Sequence, residues 1–492
     1  MTTNSFFKKI FPLILPFMFF FAMSYINYLM YLSNSYTMYD LGTNYRTIHL
    51  FLLTHNFVTE SNSYITVTPN SFTKLIYVPL AATFLVLDSP LTLLFDQIVA
   101  ISFAGFLVYK ISMQYFKEEV SSIMFQVVFF LNPATYGFMT QGGNFMVFFE
   151  PLMLLNFYIY LKGYKKLFII SFLLASITDA FAPGILFVFY GIGTLSDIVK
   201  RKKQANIHEN KTNTKLRLSR LKVIAKMNYH LLSMLLFSII VLFLEVKFYS
   251  LSGLLNVTRN FTSVKSEPLS GSFITIFVGK IFQDFESKLF FLNEITFPFL
   301  YLPFFNPYGI LIFIYFIIAS GANYNPYYSI TTQYVFLIMG IVIIGAITTL
   351  KAQKYTNVRR KVISLMIIGA ILAFLLYSPF QVANLESGSL SQKLTVTTAD
   401  SEMNFVISTI PANSSVFMDG APFLGLFKCS NIFMPGDYNN QTVNYVVLNP
   451  EGSVPYWYHF FSTNESYGLY AYVQGISVFE LGFHSSAEYY YA

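Results

Sequence analysis

"FPLILPFMFFFAMSYINYLMYLSNSYTMYDLGTNYRTIHL", residues 11–50, decides how the rest of the chain is read. Its first 22 residues, Phe11–Leu32, carry no charge, and about 20 apolar residues suffice to cross a bilayer. The segment is longer than a signal-peptide core, contains Pro12 and Pro16, and ends in tyrosines rather than a small-residue cleavage site, so it reads as a retained first span. The polar half that follows presents Asp40, Gly42, Arg46 and His49 directly beyond the membrane.

The whole 492-residue chain shares this character, with 55% hydrophobic, 19% aromatic and 11% charged residues. Soluble domains are about a quarter charged, so the composition specifies a polytopic α-helical membrane protein. Further candidate spans are 91–109, 120–139, 145–161, 167–177, 183–194, 231–249, 289–305, 310–320, 334–349 and 362–379, giving about eleven. Basic residues collect on the cytoplasmic side. Lys8–Lys9, Lys110 and Lys117, Lys162–Lys166, Lys200–Lys226 and Lys351–Lys361 hold 22 of the 31 basic residues and fall on one side of this topology. The expected orientation is therefore N-terminus cytoplasmic and C-terminus extracytoplasmic.

Asn-x-Ser/Thr sequons agree with this orientation, since Asn256, Asn260, Asn413, Asn440 and Asn464 all fall outside, and only Asn210 falls inside. The net charge of +7 follows from the juxtamembrane basic loops, and no nucleic-acid partner is expected.

Residues 1–380 are assigned to the membrane bundle. Within them, 33–90 form a long first external loop and 197–228 a basic cytoplasmic loop. The stretch "FTKLIYVPLAATFLVL", residues 72–87, reads as a helix lying in the outer interface, because a span there would reverse every later basic loop. From 381 to 492 apolar runs shorten, alternation appears and turn formers intervene. This portion is expected to form a small extracytoplasmic α/β domain. With one cysteine, Cys429, it must fold without a disulfide.

Ionisable residues at membrane depth are candidate functional groups. Asp40 and Asp179 are the strongest. A carboxylate at the lip of the bilayer can take a proton from an acceptor hydroxyl, and Arg46, His49 or Lys74 can face a lipid phosphate. Asp179 sits at a tight turn before Ala-Phe-Ala-Pro-Gly. Glu150 and Asp96–Gln97 read as polar contacts within the bundle. Histidines do not face one another across spans, so haem is not expected, and no GxxxxGK[ST], GxGxxG or HExxH occurs.

"YDLG" (39–42), "PLAATFLVLDSPLTLLFDQ" (79–97), Asn132-Pro133, "GGNFMVFFEPLMLLNFYIYL" (142–161), "STIPANSSVFMDG" (408–420), "VNYVVLNPEG" (443–452) and "YGLYAYVQGISVFELG" (467–482) resemble, in this order, the prokaryotic family called domain of unknown function 2079. That family is grouped with the GT-C glycosyltransferases. The resemblance implies a GT-C-like bundle, a catalytic acid at Asp40 and a sugar donor carried on polyprenyl phosphate at the outer leaflet. It also shows departures. "PNSF" (69–72) stands where the family has His-Phe-Ser-Pro, Asn144-Phe145-Met146 where it has Asp-Phe-His, and Ile177-Thr178-Asp179 where it has Lys-Glu-Asp.

Two functions follow as expectations. One is a polyprenyl-phosphate-dependent sugar transferase with no organic cofactor, a divalent metal being left open. The other is a catalytically degenerate GT-C-fold scaffold that joins an extracytoplasmic or membrane protein partner. A transporter is a third reading, without the repeats that usually mark one.

Overall fold

The computed structural model describes residues 3–36, 38–55, 75–139, 142–179, 181–208, 237, 273–322, 325–353, 355–381, 384, 387–419, 423–435, 438, 440–449, 454–473 and 475–484. Helix α1, Thr3–Leu32, holds both Pro12 and Pro16. Pro16 has no N–H, so the Pro12 carbonyl four residues earlier lacks its helical donor. Gln126 of a neighbouring helix supplies one, its Nε2 donating to Pro12 O at 3.0 Å and to Gly105 O at 3.2 Å. In lipid no water is at hand to do this.

After the turn at 33–36 comes α2, Met38–Thr54, with Asp40 in its first turn, where an acid suits the helix dipole. Helix α3, Tyr77–Phe84, is eight residues long, too short to cross a membrane. Leu85 and Val86 beyond it are largely exposed. Helix α4, Pro90–Phe116, begins at an N-cap, Ser89, with proline in the first helical position.

Helix α5, Glu119–Leu131, turns by 45° into a 3-10 segment, Pro133–Met139. The break is stabilised by Asn132, whose Oδ1 accepts from Ala134 N at 2.9 Å. Thr135 and Tyr136 hydroxyls donate to the last carbonyls of α5, Phe129 O and Phe130 O. Helices α6 (Phe149–Lys162), α7 (Lys165–Ser176) and α8 (Ala182–His208) are tied through buried Asn156, which bonds Phe168 O, Ser171 Oγ and the Tyr190 hydroxyl.

Helices α9 (Phe273–Phe282), α10 (Phe285–Thr296), α11 (Gly309–Ala322), α12 (Phe336–Lys351) and α13 (Thr356–Tyr377) complete the bundle, with α12 almost wholly enclosed at its centre.

Among the described residues, five helices are long and apolar enough to cross a membrane, or six with the bent α5 pair as one span. The expectation of eleven is not met by these residues, and the reasons are physical. The run 289–305 is broken at Pro298 and Pro303 into α10 and two 3-10 turns, with Leu300 and Tyr301 at positive φ. Helix α7 has 12 residues, about 18 Å of rise against a core of about 30 Å. Stretches 182–196 and 309–321 are shorter apolar helices. The expected span 231–249 lies, apart from residue 237, outside the described residues.

Beyond α13, helices α14 (Ser389–Leu394) and α15 (Thr398–Thr409) lead into the sheet. Helix α15 starts with a capping box between Thr397 and Asp400. Five strands, β1 (Ser415–Asp419), β2 (Asn431–Phe433), β3 (Tyr445–Leu448), β4 (Tyr467–Val473) and β5 (Ile476–Leu481), are ordered β2-β1-β3-β5-β4. Strand β1 pairs in parallel with β2 and β3, while β5 pairs antiparallel with β3 and β4. Alternate residues face opposite sides. Val416, Met418 and Val447 join the core shared with the helices, whereas Phe417, Val446 and Leu448 form a second core with Phe461 and Trp457 of α16, Val454–Ser462.

This sheet sits against the end of the bundle that carries α2. Asn404 Nδ2 donates to Leu32 O at 2.9 Å, and Asn34 Nδ2 to Asp400 Oδ1 at 3.2 Å. At the opposite end Glu118 bridges Arg359 and Arg360.

Candidate functional site

Three segments far apart in sequence meet at the sheet-bearing end. Half-buried Asp40 accepts from Gln333 Nε2 at 3.1 Å, with Gln333 in a 3-10 turn, Gln333–Val335, ahead of α12. A carboxylate only accepts, so the amide nitrogen must face it. The next residue, Tyr334, offers its carbonyl to the Tyr315 hydroxyl at 3.3 Å, and Tyr327 O accepts from the same hydroxyl at 3.0 Å.

Asp179 lies close enough for its charge to act on Tyr315. It is buried, and its Oδ1 accepts from Phe181 N at 2.9 Å, which orders the turn into α8. Ile76 N donates to Ile177 O at 3.1 Å and so joins the first loop to the same turn. Asp40 and Asp179, both singled out by sequence, are thus linked through the segment 325–335.

Beneath this rim is a cavity of about 380 Å³ between α8, α11 and α12, lined by residues such as Ile185, Leu311, Tyr315, Tyr327 and Ile338. Its lining is apolar almost throughout. Phe181, Ile314 and Ile318 belong to the same lining and are substantially exposed, so the cavity reaches the apolar flank of the bundle. A volume of this order is typical of small-molecule sites.

The remaining candidates lie elsewhere. Arg46 is fully buried and points at the sheet domain, donating to the carbonyls of Phe427 (3.4 Å), Cys429 and Ser430 (2.7 Å). Burial lowers its pKa to about 10, so it remains a cation at neutral pH. It works at a joint between domains and not at the cavity. His49 Nδ1 is 2.6 Å from Asp88 Oδ2, and the Tyr45 hydroxyl also bonds Asp88. Lys74, Asn256 and Asn260 lie outside the described residues. Asn413 and Asn440 are exposed; Asn464 is half-exposed and accepts from Ser466 N at 3.0 Å through Oδ1. No cluster of three or more His, Cys, Asp or Glu assembles among the described residues.

Gln97 behaves as the bundle contact read from the sequence. Its Oε1 accepts from Gly143 N at 3.0 Å and its Nε2 donates to Asn144 O at 2.8 Å. Gln333, Tyr315, Tyr327 and Tyr334 were not visible as site residues. A cue existed in "NPYYSITTQY" (325–334), where aromatic and hydroxyl residues follow an apolar run just as they do after residue 32.

The fold is GT-C-like. It is similar to that of ArnT from Cupriavidus metallidurans, solved in a crystal bound to undecaprenyl phosphate. The TM-score is 0.54 at 11% identity, over 94% of this chain and 97% of that one. None of the curated proteins matches the sequence. The model of the family described as "Predicted membrane protein (DUF2079)" matches residues 35–467, and the chain belongs to this family.

Proposed function

We propose that this protein transfers a sugar from a polyprenyl-phosphate donor to an acceptor at the outer face of a prokaryotic plasma membrane, with Asp40 as general base. The observation that carries this reading is the connection of Asp40, through Gln333, Tyr334 and Tyr315, to an apolar cavity open on the flank of the bundle. The undecaprenyl phosphate in the ArnT crystal supports the donor class. Each buried methylene of an isoprenoid contributes about 0.8 kcal/mol, so the cavity can hold such a chain without polar contacts.

Asp40 takes the proton of the acceptor hydroxyl as its oxygen bonds to the anomeric carbon. The carbon–oxygen bond to the phosphate breaks, and polyprenyl phosphate leaves with the electron pair. Gln333 holds the Asp40 carboxylate in place, and Asp179 orders the turn at the cavity mouth. Lys74 is the proposed phosphate contact on the first loop, since Arg46 is engaged by three carbonyls and His49 by Asp88.

That engagement of Arg46 favours a second reading. A cation read as a phosphate ligand serves the domain joint, as expected of a scaffold that keeps the fold without the chemistry and joins a membrane or cell-surface complex.

The test uses full-length protein in nanodiscs with radiolabelled polyprenyl-phosphate sugars. Wild type should release or transfer sugar, and Asp40→Asn should lower the rate by about 10²–10⁴-fold. Equal rates for the two proteins would refute the transferase reading. No turnover with any donor, together with stoichiometric co-purification of another membrane protein, would establish the scaffold.

A further inference from the structure

Helix α2 is held on opposite sides by different parts of the chain. Taking Asp40 as zero and about 100° per residue, Asn44 lies near 40° and Thr47 near 340°, whereas Gly42 lies near 200° and Arg46 near 240°. The first face meets the bundle, with Asp40 on Gln333 and Asn44 Nδ2 donating to Gly143 O at 3.0 Å. The second face meets the sheet domain. Arg46 reaches the carbonyls of 427, 429 and 430, and a Cβ on Gly42 would stand 2.6 Å from the Phe427 ring.

The three acceptors of Arg46 lie in and just beyond a 3-10 turn, Leu424–Lys428, which runs into β2. Carbonyls at a turn end need donors from outside the turn, and a planar guanidinium can serve several at once. The side chain is fully buried and remains charged, so its release would leave a buried cation and would strip this donor from the carbonyls of buried Phe427 and Cys429, Ser430 being exposed. The fastening therefore fixes both the height and the rotation of α2 about its own axis.

We propose that Arg46 is a positioning residue: it clamps the C-terminal sheet domain onto the face of α2 opposite Asp40, and the domain thereby sets the rotation that places Asp40 on Gln333. This rests on the transferase reading for its consequence in catalysis, but the clamp itself is a mechanical statement that needs no turnover. It also means that anything bound to the sheet domain acts on Asp40 through α2.

The chain carries its own probe. Cys429 is its single cysteine; it is fully buried, and its thiol lies near enough to Arg46 and Tyr45 to interact electrostatically with both. Burial raises that thiol to about 11, so it is unreactive until the joint opens. In full-length protein, maleimide labelling at pH 7.5 should be slow for wild type, about 10²-fold faster for Arg46→Met, and intermediate for Arg46→Lys, which keeps the charge but not the fork.

Amide hydrogen exchange in 38–46 should accelerate with labelling. In the transfer assay, Arg46→Met should lower kcat by about 10²-fold with little change in donor KM, as for a displaced base. If Arg46→Met does not fold, Gly42→Ala forces the same displacement against the Phe427 ring, and Gly42→Ala/Phe427→Ala should restore wild-type labelling and exchange. Labelling and α2 exchange at wild-type rates in Arg46→Met would overturn the clamp. Fast labelling with unchanged α2 exchange would overturn the coupling to Asp40. Should wild type show no transfer, only the transferase reading fails, and the exchange data still decide the coupling.

Discussion

Replacing Gln126 by Leu tests how the bundle accommodates a proline within its first span. Gln126 Nε2 serves two acceptors. Gly105 O lies mid-helix in α4 and has its helical donor, so that bond is an interhelical extra of about 0.6 kcal/mol. Pro12 O has no such donor because residue 16 is proline, and orphaning it costs about 1–3 kcal/mol. Against this, Gln126 Oε1 is itself buried without a partner among the described residues, and its removal returns about 1 kcal/mol. The net expectation is a loss of about 1–2 kcal/mol. In a Pro16→Ala background the new N–H reaches Pro12 O, and Gln126→Leu should become neutral or stabilising. A reversible unfolding cycle in mixed micelles on the four proteins reads the coupling. A cost for Gln126→Leu that is the same in the wild-type and Pro16→Ala backgrounds would refute the reasoning.

Gly105→Ala should destabilise by about 1–3 kcal/mol despite better helix propensity, because its Cβ would stand 2.1 Å from the Phe130 ring, and Phe130→Leu should recover most of the loss in the same unfolding assay. Lys288→Met should cost about 3 kcal/mol, since Lys288 Nζ donates to Lys280 O and Gln283 O at 2.6 Å and to Ser320 O at 3.1 Å, holding the end of α9 to α11; the midpoint of denaturation reports it. Arg46 has a folded pKa of about 10, below the ordinary guanidinium range, so folded and unfolded states bind the same proton below about 10, and stability linked to it rises with pH only above that point. The opening rate of the joint, from Cys429 labelling corrected for thiolate fraction, should therefore stay flat from about pH 6 to 9; a change across that window would contradict the charge state assigned to Arg46.

The sequence made the membrane character and the two acids legible because both rest on local composition: an uncharged run announces a span, and Asp40 and Asp179 stand out against apolar neighbours. The partner of Asp40 was not legible, since Gln333 lies 293 residues away and glutamine before an apolar helix carries no distinguishing signal. Arg46 was read as a phosphate ligand because sequence shows charges and hides carbonyls; its partners are backbone oxygens that every residue possesses. The count of eleven spans is not confirmed among the described residues, because length and hydropathy do not register geometry. Pro298 and Pro303 divide one apolar stretch, and α7 is apolar but too short.

The most direct test of the transferase account is a structure of the full-length protein with undecaprenyl phosphate in a nanodisc. The account predicts isoprenoid density in the cavity between α8, α11 and α12, with the phosphate beside the Asp179 turn and facing Asp40. Lipid bound at another surface, with that cavity unoccupied under saturating ligand, would contradict it.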